Sequence, residues 1–201
     1  MMGQEHIRNL NLIEGSKIAG IVEPDGDMRQ KAATIAPKAK FVSSIQELLN
    51  IQSIDCIVIA SPNYLHLSQF EEIFKTRPLP LMIEKPLFTS PEDNARISYL
   101  LENYTEPTWV AMEYRYMPPI AYLLENLEQA AGDISMVSIK EHRFPFLSKV
   151  NNWNRFNQNS GGTFVEKCCH FFDLMRLITK SEAKRVMAVA GQATNHTDEI
   201  Y

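Results

Sequence analysis

Short apolar segments alternate with helix-like segments along the first half of the chain, and no other feature restricts the fold as strongly. The clearest apolar segment runs from Ile54 to Ala60 and ends at the turn-forming tripeptide Ser61-Pro62-Asn63. Further strand-like segments lie at 17–23, 40–42, 79–83 and 108–112. Strands that alternate with helices form right-handed βαβ units and a parallel sheet covered on both faces. The sequence therefore predicts an α/β domain with a doubly wound parallel sheet.

The pattern changes after Met117-Pro118-Pro119, where the strand–helix alternation gives way to a mixed arrangement. The segments that follow are helix-like at 120–131, strand-like at 134–144, helix-like at 163–178 and strand-like at 183–191. Partly alternating strands mixed with helices are typical of an α+β domain. We therefore expect a doubly wound domain at 1–116 and the start of a second, α+β domain at 117–201.

The beginning of the chain lacks two features that a nucleotide-binding sheet normally has. Helical character is present from Gln4 to Ile13 with no strand before it, although a doubly wound sheet places its first strand in the middle. None of the eight glycines in 201 residues forms a G-x-G-x-x-G spacing, and there is no P-loop. We expect a gap beside the ligand crevice and interpret both chain ends as truncated.

Charge, hydropathy and cysteine usage exclude several classes of protein. Lys plus Arg number 20 and Asp plus Glu 24, so the net charge of −4 argues against a nucleic-acid binder held by phosphate contacts. The longest unbroken apolar run, Cys56 to Ala60, is far too short to span a membrane. Three cysteines, two of them adjacent, form no disulfide framework and favour a reducing, cytoplasmic location.

A lysine stands directly after the apolar segment 79–83, in the tripeptide Glu84-Lys85-Pro86. Ligands of open α/β sheets bind outside the carboxyl ends of the strands, so a lysine at this position directs its ammonium group into the crevice. Pro86 prevents helical continuation and keeps Lys85 extended. The alternative is an ordinary lysine at a strand end, with its ammonium group in solvent.

The second candidate lies on the predicted helix after Gly161-Gly162. At 100° per residue, His170 is about 40° from Glu166 and Asp173 about 20° on the other side, so all three share one stripe of an otherwise apolar helix. A carboxylate one turn from an imidazole orients the ring and raises its basicity, which suits a general base.

Two other interpretations of this stripe stay open. His170 can be a core histidine that Glu166 satisfies, or the residues Glu166, Cys169, His170 and Asp173 can bind a metal. The adjacent Cys168-Cys169 lacks the C-x-x-C spacing of a structural zinc site. We assign no metal site.

Two further segments carry groups that suit a nucleotide or a sugar. Glu23 ends the segment 17–23, where an acidic residue accepts hydrogen bonds from an adenosine ribose and repels a 2′-phosphate, although acids at strand ends are common. The loop 153–157 combines Trp153, Asn154 and Arg155, which suit a polyhydroxylated ligand, the ring stacking on C–H faces. A surface loop with a packed tryptophan is the alternative.

The order of these motifs resembles the Gfo/Idh/MocA family of NAD(P)-dependent oxidoreductases, over nearly the whole chain. The matching segments are Met1-Met2-Gly3, Glu23-Pro24-Asp25, Ser61-Pro62-Asn63-Tyr64-Leu65-His66, Glu84-Lys85-Pro86, Glu113-Tyr114-Arg115-Tyr116 with Pro118, the tryptophan loop, and Gly161-Gly162 with Glu166-x-x-x-His170-x-x-Asp173.

The resemblance implies a fold and a cofactor site. It implies an NAD(P)-binding Rossmann domain at 1–116, without its first strand and two phosphate-loop glycines, and part of a C-terminal domain with a mainly antiparallel sheet. Gly3 is then the last phosphate-loop glycine. The other residues implied to bind the cofactor are Glu23, Ser61, Pro62, Asn63, His66, Glu84 and Lys85.

The resemblance also implies catalytic and substrate-binding residues. Lys85 is the site lysine, His170 the acid/base and Glu166 its partner. Arg115, Trp153, Arg155 and Asp173 are candidates to hold substrate. Two departures from the family concern these residues: Glu166 replaces the aspartate of many members, and Lys167-Cys168-Cys169 is an unusual sequence before the histidine.

These residues predict reversible oxidation of a secondary alcohol on a sugar, cyclitol or similar polyol, with NAD rather than NADP because of Glu23. His170 takes the hydroxyl proton and Lys85 stabilises the alkoxide. We expect a homo-oligomer formed through the C-terminal sheet, with no nucleic-acid or membrane partner. The alternative is a non-catalytic dinucleotide sensor or scaffold. The chain itself is expected to be inactive, because a glycine turn presents the N–H groups that bind pyrophosphate.

Overall fold

The computed structural model describes residues 2–142 and 147–189. The strands of these ranges are β1 (Gly20–Val22), β2 (Lys40–Val42), β3 (Ile57–Ile59), β4 (Leu81–Ile83) and β5 (Thr108–Val110). The α-helices are α1 (Met2–Leu10), α2 (Gly26–Ile35), α3 (Ile45–Leu49), α4 (His66–Thr76), α5 (Asn94–Asn103), α6 (Pro118–Glu125), α7 (Leu127–Ala131), α8 (Asn157–Ser160), α9 (Gly162–Glu166) and α10 (Cys169–Thr179). Short 3₁₀ turns lie at Asn63–Leu65, Pro91–Asp93, Glu113–Tyr116 and Val150–Arg155.

All strand pairs of the described residues are parallel, which confirms the predicted Rossmann-type α/β arrangement. They form two separate sheets, β1-β2 and β3-β4-β5. In register, Ile57 lies opposite Leu81, and Ile83 opposite Val110. The division agrees with the gap that the sequence predicts for a doubly wound sheet without its first strand.

The main hydrophobic core lies between the three-stranded sheet and the helices α4 and α5. Phe70 and Ile73 of α4 and Ile83 of β4 are almost fully inaccessible to solvent. Burying a side chain of this size stabilises the fold by about 1.5–3 kcal/mol. A smaller cluster around Ile7 of α1 and Ala32 of α2 accompanies the two-stranded sheet.

Helix starts follow the capping signals of the sequence. Asp25 caps α2, with its Oδ1 accepting a hydrogen bond from the Met28 amide at 2.9 Å. Ser44 caps α3 in the same way through the Glu47 amide. The Glu47 carboxylate accepts from the Ser43 amide and hydroxyl, one residue before the cap, so Ser44 and Glu47 do not form a reciprocal capping box.

Two side chains hold the connection that leads into β4: Tyr104, which follows α5, and Arg77, which belongs to the connection itself. The Tyr104 hydroxyl accepts a hydrogen bond from the Leu79 amide at 3.0 Å and donates one to the Leu79 carbonyl at 2.6 Å. The Arg77 guanidinium donates to the carbonyl oxygens of Leu49, Ile51, Gln52 and Ile54 at 2.9–3.4 Å. These carbonyls lie at the last residue of α3 and in the segment after it, and the Ile51 carbonyl also accepts from the Ile54 amide at 3.3 Å.

The second half of the chain differs from the prediction in three ways. The expected helix at 120–131 is divided at Asn126 into α6 and α7. The expected helix at 163–178 is wrong as one element: it is divided into α9 and α10, because the Lys167 and Cys168 amides both donate to the Thr163 carbonyl at 3.0 Å and form a wide turn. The expected strands at 134–144 and 183–191 are not formed at 134–142 and 183–189, and the rest of both segments lies outside the described residues. A strand needs a neighbour for its ladder, and these segments have none in the described ranges. The antiparallel sheet stays a prediction.

None of the described helices combines the length and the apolar character needed to cross a membrane.

Replacing Arg77 by Met removes the donors of four backbone carbonyls and should lower the free energy of unfolding by about 1.5–3 kcal/mol. Urea denaturation followed by circular dichroism measures this. The matched control is Lys75→Met, an exposed cation in the last turn of α4, two residues before Arg77, which should change stability by less than about 0.5 kcal/mol. Equal stabilities of the two variants would show that the Arg77 bonds contribute nothing.

Candidate active site

The candidate site lies at the carboxyl ends of the parallel strands. Glu23 follows β1, Ser61 follows β3 and Lys85 follows β4. Gly3, in the first turn of α1, lies next to the end of β3, since a Cβ added to it would be 3.7 Å from the Ala60 Cβ. The residues predicted for cofactor binding therefore come from four elements that meet at one edge of the sheets.

Glu84 is buried and fixed from three directions. It is 6% exposed, and its Oε1 is 2.7 Å from Nε2 of His6 on α1. Its Oε2 accepts from the Lys85 amide at 3.3 Å, and its own amide donates to the Ile59 carbonyl. Burial raises the pKa of Glu84, but the hydrogen bond and charge of His6 and the Lys85 ammonium outweigh burial and hold it below the ordinary value.

Lys85 extends from the end of β4 to the second half of the chain. Its Nζ donates to the backbone carbonyl of Glu166 at 2.8 Å. The Lys85–Pro86 peptide bond is cis. The ammonium group thus lies between the carboxyl end of β4 and the helices that follow Gly161, and its role in a site stays a prediction.

His66 does not face the crevice. Its ring is fully buried, with Nδ1 at 2.7 Å from the Pro86 carbonyl and Nε2 at 2.9 Å from the Ser61 carbonyl. Burial lowers the pKa of His66 by more than the two carbonyls raise it. His66, which was predicted to bind the cofactor, therefore connects the segments that follow β3 and β4.

The tripeptide after β3 also makes contacts within the protein. The Ser61 hydroxyl donates to Gln69 Oε1 at 2.7 Å. Pro62 precedes a 3₁₀ turn whose first residue, Asn63, is buried and donates through Nδ2 to the Ser160 carbonyl at 3.4 Å. This bond brings α8 against the crevice.

His170, at the start of α10, is 2% exposed. Its Nε2 lies 3.4 Å from Oε1 of Glu113, while its buried Nδ1 has no hydrogen-bond partner among the described residues. Burial first, and then the Lys85 and Lys167 ammonium groups, lower the pKa of His170 to about 4. The imidazole is therefore neutral at pH 7 and able to accept a proton.

Glu113 and Tyr114, from the turn after β5, are two neighbours of His170 that the sequence analysis did not assign. Burial raises the pKa of the Glu113 carboxyl. The Tyr114 ring stacks on the imidazole, with centroids 4.2 Å apart and planes 6° apart. Both residues belong to the matching segment that includes Arg115. Their position next to Arg115 was the one sequence signal that could have identified them as site residues.

Glu166 is 2% exposed, and its Oε1 lies 3.2 Å from Nζ of Lys149. The Lys149 ammonium also lies 4.4 Å from the centre of the Trp153 ring. The prediction that Glu166, His170 and Asp173 share one helix face assumed an unbroken helix. The turn at Lys167 interrupts that helix. The anionic partner that the structure places at His170 Nε2 is Glu113.

Arg115 and Asp173, both predicted to hold substrate, bind each other. The Arg115 Nε donates to Asp173 Oδ2 at 2.6 Å, and Nη2 donates to Oδ1, so the pair joins the turn after β5 to α10. Trp153 contacts Tyr64 edge to face, with ring centroids 6.1 Å apart. Arg155 donates to the Ser148 hydroxyl at 3.5 Å.

Among residues 2–142 and 147–189, no group of three or more His, Cys, Asp or Glu side chains is arranged to hold a metal ion.

Comparison with known families agrees with this geometry. Residues 1–112 match the oxidoreductase family with an NAD-binding Rossmann fold that is named GFO_IDH_MocA, and residues 125–200 match the C-terminal alpha/beta domain of that family. The chain belongs to the Gfo/Idh/MocA oxidoreductase family.

Individual Gfo/Idh/MocA proteins are similar over most of this chain. The rhizopine catabolism protein MocA of Rhizobium meliloti is 23% identical over 96% of this chain and 59% of its own length. The inositol 2-dehydrogenase of Corynebacterium glutamicum (strain R) is 27% identical over 94% of this chain and 53% of its own. The chain thus spans little more than half of the length of these relatives.

The crystal structure of myo-inositol 2-dehydrogenase from Lactobacillus plantarum has the same fold over the shared region. It superimposes with a TM-score of 0.71 at 19% identity, covering 89% of this chain and 53% of the other.

The imidazole of His170 should titrate at about pH 4, well below an ordinary histidine. Because the folded-state pKa is lower than the unfolded value, the neutral ring stabilises the fold above pH 6.5, and this contribution is lost as the pH falls from 6.5 towards 4. NMR titration of the ring protons measures the pKa, with the His170→Asn spectrum as assignment control. The Lys85→Met variant should titrate at higher pH. A wild-type value at or above 6.5 would contradict the burial argument.

Proposed function

We propose that the protein is an oxidoreductase that transfers a hydride between a nicotinamide cofactor and a secondary alcohol of a sugar, cyclitol or similar polyol. The observation that carries this proposal is a buried imidazole, neutral at pH 7, whose pKa is depressed in part by the lysine at the end of β4. A base and a cation in one crevice suit removal of a hydroxyl proton and stabilisation of the oxyanion. The names of the relatives, an inositol 2-dehydrogenase among them, support a polyol substrate.

The residues present fit the two ends of a dinucleotide. At the adenosine end, the Glu23 carboxylate is held at the end of β1, where its Oε1 accepts from the Asp25 amide at 3.0 Å. A carboxylate there suits the ribose hydroxyls. At the other end lie the Lys85 ammonium and the unpaired His170 Nδ1. When bound, the nicotinamide supplies the hydride acceptor.

The side chains of this site would move one proton and stabilise one charge. The neutral ring would take the proton of the substrate hydroxyl on the nitrogen that carries its lone pair; Nε2 faces the half-exposed Glu113, and Nδ1 has no hydrogen-bond partner among the described residues. The Glu113 carboxylate would then stabilise the imidazolium. The Lys85 ammonium would stabilise the alkoxide by charge and hydrogen bonding while the hydride leaves the same carbon.

The proposed substrate contacts come from the loop before α8. Trp153 has one face against the Lys149 ammonium and an edge against Tyr64, which fixes the ring as a platform for sugar C–H faces. Arg155 could donate to hydroxyls. We assign Arg115 and Asp173 the role of shaping the pocket wall through their ion pair.

The division at residues 116 and 117 belongs to this proposal, with a Rossmann domain before it and the start of the C-terminal domain after it. The match of residues 125–200 to the C-terminal domain of the family supports the second unit. We infer that a mainly antiparallel sheet completes this unit and carries contacts between copies of the protein. The proposed location is the cytoplasm.

Replacing His170 by Asn should lower kcat/KM by about 10²–10⁴-fold, because general base catalysis is lost. The assay follows NADH formation by the protein, at its natural length, with inositols and sugars as substrates. The His142→Asn variant, which changes an exposed histidine, should keep full activity. NAD binding without turnover of any polyol by the wild type would instead favour the sensor or scaffold alternative.

The Glu23 carboxylate should make NAD preferred over NADP by a factor of about ten or more, because it repels a 2′-phosphate at short range. Titration calorimetry with both dinucleotides gives the ratio of dissociation constants. Glu23→Gln should reduce that ratio mainly by tightening NADP binding, whereas Asp27→Asn, in the exposed first turn of α2, should not. Equal affinities in the wild type would remove the specificity role from Glu23.

A further inference from the structure

The ammonium group of Lys167 is buried beside the site, and the mechanism proposed above gives it no role. Its side chain is only 7% exposed. Its Nζ donates to the Tyr114 hydroxyl, lies 3.1 Å from Oε1 of Glu141 and 4.5 Å from the centre of the Tyr114 ring. Burying an ammonium group costs several kcal/mol unless it is paired, so its contacts require an explanation beyond chance placement.

The backbone brings Lys167 inward. The amides of Lys167 and Cys168 share the Thr163 carbonyl in the wide turn between α9 and α10. In a continuous helix Lys167 would lie about 60° from His170 around the axis. The turn interrupts that arrangement, and the Lys167 ammonium reaches the hydroxyl of Tyr114, whose ring stacks on His170.

Tyr114 connects the ammonium group to the imidazole. Its hydroxyl binds Lys167, and its ring lies flat on the ring of His170. Stacking alone allows an aromatic ring to slide over the imidazole. A hydrogen bond from a buried cation to the hydroxyl removes that freedom, so the plane of Tyr114, and with it the plane of His170, is determined.

We propose that Lys167 is a positioning residue for His170, which holds Tyr114 flat against the imidazole and so fixes the orientation in which the ring meets the substrate hydroxyl. The proposal rests on the proposed function of His170 as the base. A proton is transferred efficiently only when donor and acceptor are aligned, and a displacement of about 1 Å can cost roughly 100-fold in rate.

The charges around His170 give the proposal a second consequence. The cations facing the ring are Lys85, after β4, and Lys167; the carboxylates are Glu84, Glu113 and Asp173. After burial and Lys85, the Lys167 charge is the next contribution that lowers the pKa of His170. Removing this charge therefore raises the pH at which the base becomes protonated.

The test compares Lys167→Met, which removes the donor and the charge, with Lys167→Arg, which keeps both. We expect Lys167→Met to lower kcat by about 10–100-fold with KM changed by less than about threefold. The acidic limb of its kcat/KM profile should move to higher pH, because a protonated His170 cannot act as the base. Lys167→Arg should restore the limb and most of kcat.

Two more variants separate alignment from charge. Tyr114→Phe keeps the stacked ring but loses the hydroxyl, so kcat should fall while the acidic limb stays within about 0.3 pH units of the wild type. Lys140→Met removes an exposed lysine close in sequence to Glu141 and should leave both kcat and the limb unchanged. Circular dichroism of each variant checks the fold.

The outcomes distinguish this inference from the function on which it rests. An inactive wild type refutes both. An active wild type with normal kcat and an unmoved acidic limb in Lys167→Met refutes the positioning role alone. If Lys167→Met does not fold, the Arg and Phe variants decide: full kcat in Tyr114→Phe refutes the role, and a loss of kcat supports it.

Discussion

The hydrogen bond from Lys85 to the Glu166 carbonyl oxygen is the contact on which the site depends, because it joins the parallel sheet to the helices that carry His170. Each residue of the tripeptide at the end of β4 makes one such connection. Glu84 binds His6 of α1, and the Pro86 carbonyl binds His66 of α4. Hydrogen bonds therefore tie three helices to the end of one short strand. The positions of the His170 imidazole and the Lys85 ammonium group consequently depend on each other.

Most of the first half of the fold was predictable because its signals are local. Apolar segments located each of the strands β1 to β5, and the turn-forming tripeptide Ser61-Pro62-Asn63 marked the end of β3. The failures were non-local. Nothing in the immediate sequence shows that Lys167 is drawn inward by Tyr114, 53 positions away, and this contact lies beside the break between α9 and α10.

The candidate site divides in the same way. Position in the sequence was enough to choose Lys85, which follows a strand, and His170, which stands on a largely apolar helix. The partners were harder to assign, since they depend on which side chains meet across the fold. Glu113 lies at Nε2 of His170, and Arg115 and Asp173 satisfy each other. His66 shows the limit of prediction from a motif. It was expected to bind the cofactor, but it is buried and contacts the Pro86 and Ser61 carbonyls.

The two hydrogen bonds between the Tyr104 hydroxyl and the backbone of Leu79 help to fix the register of β4 against its neighbouring strands. Side chains alternate between the two faces of a sheet, so a slip of one residue would turn every side chain of β4 to the opposite face. A ladder of only three residues resists such a slip weakly. The Tyr104 hydroxyl binds both the amide and the carbonyl of Leu79, just before the strand, and so opposes a shift of the strand by one residue. It thereby determines on which face of the sheet the Lys85 side chain lies.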